Sequence, residues 1–328
     1  MDSIFVTGAN GCTGKGVLKY LLSRGYTEIY ALVRKEPEEP LTNVDYIVGD
    51  LTDKQRLDEI FSDIHVDHIW HMAAAVHRSV KRNEYFTINV DGTKNLLEAA
   101  INNGVKTFSY TSTASIYGRI KNSPTTEEHR LKPHGIYTKS KYKAEQTIIE
   151  VCKERGIKGN ILRLPMILGK EDRHVYPVIG KFIKRNLLPI LGKPDHRFSI
   201  VHPYDVGRAL EVVSNSNKVK CDVFNTISCD VTWKELIKDI EMHTIGRNRF
   251  RFYLPYPIFF FAVWAFEAIS RVFFPKKEPV VNREYARMVG KEWVFDISKL
   301  EKLGFKPIMQ REEIIEDLTH PEDFPVPL

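Results

Sequence analysis

Cysteine is scarce in this sequence, and its scarcity excludes two kinds of small scaffold. The 328 residues contain four cysteines, and no two of them form a CxxC pair. A disulfide framework and a zinc ribbon both need cysteines at close, regular spacing, so we expect neither of them. The pattern fits a reducing compartment.

A targeting segment and a strong charge imbalance are also missing. The first residues lead straight into an apolar run without a basic stretch, so we expect no signal peptide and a cytoplasmic location. The 48 Lys and Arg residues stand against 42 Asp and Glu, a formal net charge of +6. A net positive charge this small does not indicate a nucleic-acid partner. The partner we expect is a small-molecule substrate.

The chain has the composition of a soluble protein with a real core, since 43% of its residues are hydrophobic and 27% are charged. Short runs rich in β-branched and aromatic residues alternate with helix-period segments. This alternation predicts an α/β fold, a Rossmann-type doubly wound parallel sheet covered by helices. The predicted strands are 3–7, 29–33, 44–48, 68–72, 107–111 and 159–164, and the predicted helices are 14–23, 53–61, 84–102 and 135–155.

The second half of the chain is less regular and predicts a smaller, interleaved substrate lobe. Two further runs, 198–202 and 223–227, look like strands that return to the sheet. Scattered prolines break up the remainder. We therefore assign 1–165 and 195–228 to a cofactor-binding domain, and 166–194 and 229–328 to a substrate-binding lobe.

A glycine-rich turn follows the first strand. Gly8, Gly11 and Gly14 are spaced three apart and a predicted helix opens behind them. Glycine lets the backbone approach a pyrophosphate closely, and the N-terminus of a helix favours negative charge. The turn predicts a dinucleotide site, and it also contains Asn10 and Cys12.

The second strand bears on the choice of cofactor. A site that prefers NAD usually has Asp or Glu at the end of this strand, where it binds the ribose 2′-hydroxyl. Here Arg34 and Lys35 follow the strand. A guanidinium can accommodate a 2′-phosphate, so we predict that NADP(H) is preferred, with NAD(H) as the alternative.

Tyr137 and Lys141 are four residues apart and share one face of a predicted helix. A cation beside a phenol stabilises the phenolate and makes tyrosine a usable acid or base near neutrality. Tyr117 and Lys121 have the same spacing, but Gly118 lies between them and predicts a loop. Hydroxyl side chains also end the strand at 107–111, at the sheet edge where such folds bind ligands.

The order of four motifs resembles the extended short-chain dehydrogenase/reductase superfamily, which includes epimerase- and dehydratase-like enzymes. The resemblance is good over roughly residues 3 to 170 and looser beyond. It rests on TGANGCTG, INVDGTKNLLEAA, YTSTASIYG and YTKSK.

This resemblance implies a role for each matching residue. Tyr137 would exchange a proton with a substrate oxygen, Lys141 would bind the nicotinamide ribose and lower the tyrosine pKa, and Thr113, with Ser112 as the alternative, would hydrogen-bond that oxygen. Asp50 and Leu51 would contact the adenine. The remaining cofactor contacts implied by the match are Gly8, Gly11, Gly14, Ala73, Ala74 and Asn89.

Three functions are consistent with the sequence. The first is an oxidoreductase on an alcohol or ketone, resembling the 3β-hydroxysteroid and sterol dehydrogenase branch; we favour it because Phe198 stands where nucleotide-sugar enzymes commonly have Arg. The second is a nucleotide-sugar epimerase or dehydratase with a tightly bound cofactor. The third, a non-catalytic regulator that senses NADP, is disfavoured because the chain retains the Tyr–Lys pair.

The aromatic tract at 252–274 and two helices suggest further contacts. Because the apolar core of the tract, 257–266, is too short to span a bilayer, we expect a buried helix of the substrate lobe or, as the alternative, a peripheral membrane contact. Helices 84–102 and 135–155 resemble the pair through which many relatives form homodimers. His65, His68 and His71 cannot share a metal along a strand, and we predict no metal site.

Overall fold

The structure, a computed structural model, describes residues 2–76, 81–120, 122–172, 176–191, 193, 195–217, 220–273, 283, 286 and 292–319. The strands are β1 (Ile4–Thr7), β2 (Ile29–Val33), β3 (Asp45–Val48), β4 (His68–His71), β5 (Thr107–Thr113), β6 (Lys158–Leu164), β7 (Met166–Ile167), β8 (Ile190–Leu191), β9 (Arg197–Val201), β10 (Cys221–Asn225), β11 (Cys229–Thr232) and β12 (Tyr253–Leu254). The helices are α1 (Cys12–Ser23), α2 (Lys54–Asp63), α3 (Glu84–Phe86), α4 (Gly92–Asn102), α5 (Ile136–Arg155), α6 (Tyr176–Lys184), α7 (Pro203–Asn215), α8 (Trp233–Ile245), α9 (Tyr256–Phe273), α10 (Ser298–Glu301) and α11 (Arg311–Thr319).

The predicted doubly wound parallel sheet is confirmed. Its seven strands run in the order β10-β6-β5-β4-β1-β2-β3, and each neighbouring pair is parallel. Successive crossovers from β1 run outward in opposite directions, towards β3 and towards β10. The crevice between β1 and β4 at their carboxyl ends is therefore where such a sheet binds its ligand.

Apolar cores on both faces explain why the strands are almost continuously apolar. On one face, α1 and α7 cover the sheet and bury Val17, Leu21 and Leu210 against it. On the other face, α2, α4 and α5 bury their apolar sides. A parallel sheet covered on both faces leaves no solvent side, so its strands lack the polar alternation of a half-exposed sheet.

One of the two returning strands joins a different sheet from the one expected. The segment at 223–227 does return, as β10 beside β6. The strand predicted at 198–202 forms as β9 but pairs with β7 and β11 in a separate three-stranded sheet. The reason is packing, because Phe198 and Ile200 are buried in a third apolar core with Trp233 of α8.

The helix predicted at 84–102 is interrupted. Between α3 and α4 the backbone forms one π-helical turn, Thr87–Asp91. The extra residue in such a turn changes the direction of the side chains that follow, and π turns often occur at functional sites. The interruption contains Asn89, which is buried.

The aromatic tract forms α9, and its environment contradicts the expectation of a buried helix. Of its 18 residues, Val263 and Glu267 are buried. By length and composition alone, α9 is long enough to cross a bilayer, which the shorter apolar core read from the sequence is not. Residue 274, the last of the predicted tract, lies outside the described residues.

Candidate active site

A cavity of about 620 Å³ opens at the carboxyl edge of the sheet. The ends of β1, β2, β4, β5 and β6 and the start of α5 contribute to its wall. Thirteen of the residues expected at the site line it, and Asn89 does not. Those that line it are Gly8, Asn10, Gly11, Cys12, Gly14, Arg34, Asp50, Leu51, Ala73, Ala74, Thr113, Tyr137 and Lys141.

The glycine turn is packed so tightly that two of its positions admit no side chain. Gly8 has a φ of 75°, and a Cβ atom there would lie 2.7 Å from the backbone nitrogen of Ala73. A Cβ atom on Gly14 would overlap the carbonyl oxygen of Gly8. Because α1 begins at Cys12, the positive end of its dipole lies at the cavity wall. This cradle fits the pyrophosphate of a dinucleotide.

Cations lie where the second strand reaches the cavity. Arg34 and Lys35 are exposed and line it, and Asn10 Nδ2 donates a 2.9 Å hydrogen bond to the carbonyl of Lys35. Asp50, after β3, accepts from the backbone nitrogen and the hydroxyl of Thr52 at 2.8 and 2.7 Å. The end of β2 therefore presents a guanidinium and an ammonium at the position where an NAD site usually has a carboxylate.

A buried histidine holds the wall formed by Ala73. Thr7 Oγ1 accepts a 3.1 Å hydrogen bond from the Ala73 nitrogen and lies 2.7 Å from His71 Nδ1. The other ring nitrogen is 2.8 Å from Thr93 Oγ1. Burial and the nearby Lys141 charge lower the pKa of His71 to about 3. His71 is therefore a neutral hydrogen-bonding link between β1, β4 and α4.

Asn89 contacts the cavity wall from behind. Its Oδ1 accepts a 2.6 Å hydrogen bond from the backbone nitrogen of Ala75, and its Nδ2 donates to the Ala75 carbonyl and to Ser140 Oγ at 3.2 and 2.9 Å. These bonds join the loop after β4 to α5. The resemblance to the superfamily implied a cofactor contact for Asn89, but Asn89 does not line the cavity and instead positions its wall.

Tyr137 and Lys141 lie in successive turns of α5 and both reach the cavity. Lys141 is 2% exposed, and its Nζ donates a 2.6 Å hydrogen bond to the Thr111 carbonyl and lies 4.0 Å from the centroid of the Tyr110 ring. Burial lowers the pKa of Lys141 to about 7, although the Glu145 carboxylate opposes the shift. The ammonium is thus fixed against the end of β5.

Two hydroxyls occupy the end of β5. Thr113 lines the cavity and its Oγ1 accepts a 3.2 Å hydrogen bond from the Ser115 nitrogen. Ser112 also lines the cavity, and its buried Oγ has no hydrogen-bond partner among the described residues. The structure brings both candidates to the same wall as the Tyr–Lys pair.

Tyr117, the tyrosine of the second Tyr–Lys pair, lies in a different environment from Tyr137. Tyr117 ends a short 3₁₀ helix rather than lying in an open loop, and it does not line the cavity. Its hydroxyl donates to Asn225 Oδ1 at 2.7 Å and accepts from Arg163 at 3.0 Å. Burial raises the pKa of Tyr117 to about 12. Its role is structural, and Lys121 lies outside the described residues.

Sequence reasoning missed the far end of the cavity. Leu164, Pro165, Met166 and Ile167 line it, as does Asp172. The first four follow from topology, since β6 ends at the same edge as β5. Asp172 could not be predicted from the sequence, because it lies in a loop and no motif marks it as part of the cavity wall.

No metal centre is found among the residues that the structure describes, where no three His, Cys, Asp or Glu side chains come together. His68 lies with Nδ1 2.7 Å from Thr107 Oγ1 and Nε2 3.2 Å from Asp2. Desolvation by burial lowers its pKa. This histidine therefore has a structural role, since it joins β4 to β5 and to the N-terminal segment.

One family model and several curated relatives match this sequence. The model of the NAD dependent epimerase/dehydratase family matches residues 4–226. An undecaprenol-linked N-acetylglucosaminyl 4-epimerase of Escherichia coli O157:H7 is 26% identical over 314 residues, 93% of this chain and 90% of the relative. A decarboxylating sterol-4-alpha-carboxylate 3-dehydrogenase of Dictyostelium discoideum is 26% identical over 324 residues, 93% of this chain and 96% of the relative.

Solved structures share the fold over nearly the whole chain. A UDP-glucose 4-epimerase from Thermotoga maritima, determined with UDP-glucose, superposes with a TM-score of 0.74 at 23% identity and covers 97% of both chains. The Bordetella bronchiseptica enzyme WbmH, determined with NAD+, has the same TM-score at 18% identity, also over 97% of both chains. The chain belongs to the NAD dependent epimerase/dehydratase family and is an NAD-dependent enzyme of the extended short-chain dehydrogenase/reductase type.

Proposed function

We propose that this enzyme transfers a hydride between a nicotinamide cofactor and an alcohol or ketone carbon of a bulky, apolar, steroid-like substrate. The observation that carries the proposal is the meeting of Thr113, Tyr137 and Lys141 in one cavity with the glycine cradle. Each of these residues alone has an ordinary structural explanation. Their meeting at the carboxyl edge of the sheet does not.

The residues divide the chemistry among them. Bound nicotinamide supplies or accepts the hydride. Tyr137 as the phenolate takes a proton from the substrate alcohol, and as the phenol it returns one to the ketone oxygen. Thr113, with Ser112 as the alternative, donates a hydrogen bond to that oxygen. The Lys141 ammonium, fixed by the Thr111 carbonyl, stabilises the phenolate electrostatically.

The far end of the cavity favours an apolar ligand. Leu164, Pro165, Met166 and Ile167 form its wall after β6, beside Asp172. Phe198, which stands where nucleotide-sugar enzymes commonly have Arg, is buried against Trp233 with ring centroids 6.0 Å apart. The neighbouring Arg197 is exposed and pairs with Asp230 at 3.6 Å. Neither side chain lines the cavity.

A sugar 4-epimerase is the second candidate. It is favoured by the near full-length match to an epimerase whose named substrate is a sugar diphosphate on a polyprenol, and by the fold shared with UDP-glucose 4-epimerases. In that reaction the hydride leaves and returns, and the cofactor shows no net change. The NADP-sensing regulator is no longer a candidate, because the chain is an enzyme of this family.

A substrate panel followed by absorbance of the reduced nicotinamide separates the two. The panel contains sterols, other bulky ketones and alcohols, nucleotide sugars and a polyprenyl diphosphosugar. Net oxidation or reduction of the cofactor with the apolar members is the expected result. Conversion of a sugar without net change would replace the first proposal by the second.

Tyr137→Phe tests the mechanism itself. Without the hydroxyl that exchanges the proton, we expect turnover to fall by about 10²- to 10⁴-fold. Binding of the reduced cofactor, measured by its fluorescence, should stay within about twofold. The matched control is Tyr142→Phe on the same helix, outside the cavity lining. Full turnover in Tyr137→Phe would remove this residue from the mechanism.

A further inference from the structure

Helix α9 exposes large apolar side chains to an unusual extent. We define the apolar ridge as Ile258, Phe261, Trp264, Phe266, Ile269 and Val272, whose exposed fractions lie between 46% and 76%. The helix is about 27 Å long at the usual rise per residue. A continuous apolar surface of this kind marks a site of interaction.

The side of α9 opposite the ridge is buried. Val263 and Glu267, one turn apart, are its buried residues. Although burial opposes the charge, hydrogen bonds from Arg283 and the charge of Arg271 hold the pKa of Glu267 below its usual range. Arg283 Nε and Arg271 Nη2 lie 2.9 and 2.6 Å from its carboxylate. If α9 crossed a bilayer, this carboxylate would enter the hydrocarbon.

Cations lie near the chain that leads into α9. The chain before α9 is tied to the segment after α6, since β12 pairs with β8 and Arg251 donates a 2.6 Å hydrogen bond to the Leu188 carbonyl. Residues 176–193 and 246–273 together contain eight Lys and Arg and one carboxylate, that of Glu267. Lys181, Lys184, Arg185 and Arg247 among them are exposed.

We propose that the apolar ridge and these cations dock the enzyme on the surface of a bilayer that contains anionic phospholipid. Apolar side chains of an interfacial helix enter the boundary between headgroups and acyl chains, and each nearby Lys or Arg adds attraction to an anionic surface. The stacked rings of Phe261 and Trp264 suit that boundary. A second copy of the chain suits it less, because it carries the same net positive charge and would be repelled.

Vesicle sedimentation with the full chain tests the proposal. The probes are neutral phosphatidylcholine vesicles and vesicles in which about a third of the lipid is phosphatidylglycerol. We expect binding to the anionic vesicles that is at least about tenfold stronger than to the neutral ones and that weakens as salt is added. Equal binding to both, or no binding to either, would overturn the proposal.

Two double variants separate the apolar and the ionic contributions. Phe261→Ser with Trp264→Ser, and Lys184→Gln with Arg185→Gln, should each weaken binding to the anionic vesicles by about tenfold or more. The matched control, Val48→Ser with Phe86→Ser, removes exposed apolar side chains elsewhere and should bind like the wild type. Unchanged binding in either test variant would contradict the proposal. So would a dimer in sedimentation velocity that the Phe261/Trp264 variant dissociates. Because no turnover is measured, failure here leaves the proposed reaction standing.

Discussion

At the scale of single residues, Lys141 shows how position creates chemistry. The spacing of Tyr137 and Lys141 was visible in the sequence and equalled that of Tyr117 and Lys121. Lys141 is buried against the Thr111 carbonyl, and burial lowers the pKa of its ammonium to about 7. Spacing predicts which residues share a helix face, but solvation depends on everything packed around them.

Arg34 is the residue on which the predicted preference for NADP(H) rests. A charge-assisted hydrogen bond from a guanidinium to the 2′-phosphate contributes about 1.5–3 kcal/mol. Arg34→Ala should therefore reduce the ratio of NADPH to NADH affinity by about tenfold or more, measured by titration of cofactor fluorescence. Arg130→Ala, an exposed arginine outside the cavity lining, is the control. A ratio that does not change would refute the role of Arg34.

At the scale of elements, a buried ion pair joins α5 to β6. Arg163 Nε and Nη2 donate to the two oxygens of Glu145 at 3.2 and 2.9 Å, and both side chains are at most 5% exposed. Arg163 also donates to the hydroxyl of Tyr117, which in turn binds Asn225 of β10. The network holds α5 against β6 and β10 of the sheet.

Breaking the Arg163–Glu145 pair should strongly destabilise the folded protein. Glu145→Gln leaves a buried guanidinium without its counter-charge, and we expect the free energy of unfolding to fall by about 3–5 kcal/mol, measured by urea denaturation. The control is Glu98→Gln on α4, which removes the exposed pair with Lys54 and should change stability little. Similar losses in the two variants would contradict the assignment of the network.

Helix α9 is exposed, although the sequence predicted a buried helix. An aromatic-rich segment of this length has the same pattern whether it is buried in a core or exposed to a membrane surface. The structure distinguishes a buried helix from an exposed one because it shows which residues of α9 are covered by the rest of the protein.

Helix α6 connects the proposed docking surface to the cavity. At its start the Tyr176 nitrogen donates a 2.6 Å hydrogen bond to Asp172, a residue of the cavity wall.

At the scale of the whole molecule, one carboxylate connects the two parts of the chain. Asp205 of α7 accepts hydrogen bonds from Ser228 Oγ and from the backbone nitrogens of Ile308 and Met309. Nearby, His202 Nε2 lies 2.9 Å from the Asp317 carboxylate of α11. The domain division and the homodimer stay predictions, but the C-terminal segment is joined to the cofactor half through these groups.

Global stability should depend on pH through His71. Its pKa is about 3 in the folded chain and about 6.5 when unfolded, so the unfolded chain binds more protons between these values. The stabilising contribution is complete above pH 6.5 and is lost as the pH falls towards 3. At pH 4.5 we expect a loss of about 2.5 kcal/mol relative to pH 7 from this residue.

His71→Gln keeps hydrogen-bonding groups beside Thr7 and Thr93 but does not titrate. Urea denaturation at pH 7 and pH 4.5 should show a smaller pH-dependent loss in this variant than in the wild type. His65→Gln, at an exposed histidine, should retain the wild-type dependence. An identical dependence in His71→Gln and the wild type would disprove the assignment.

The sequence by itself determined the parallel sheet, the glycine-rich turn and most of the residues that line the cavity, because strand periodicity, turn chemistry and helix spacing are local properties. It did not determine the partners of β9, the position of Asn89 behind the wall, the far end of the cavity or the exposure of α9. These depend on contacts between residues far apart in the chain. Whether an apolar segment is buried, and which charges surround it, is decided only when the chain has packed.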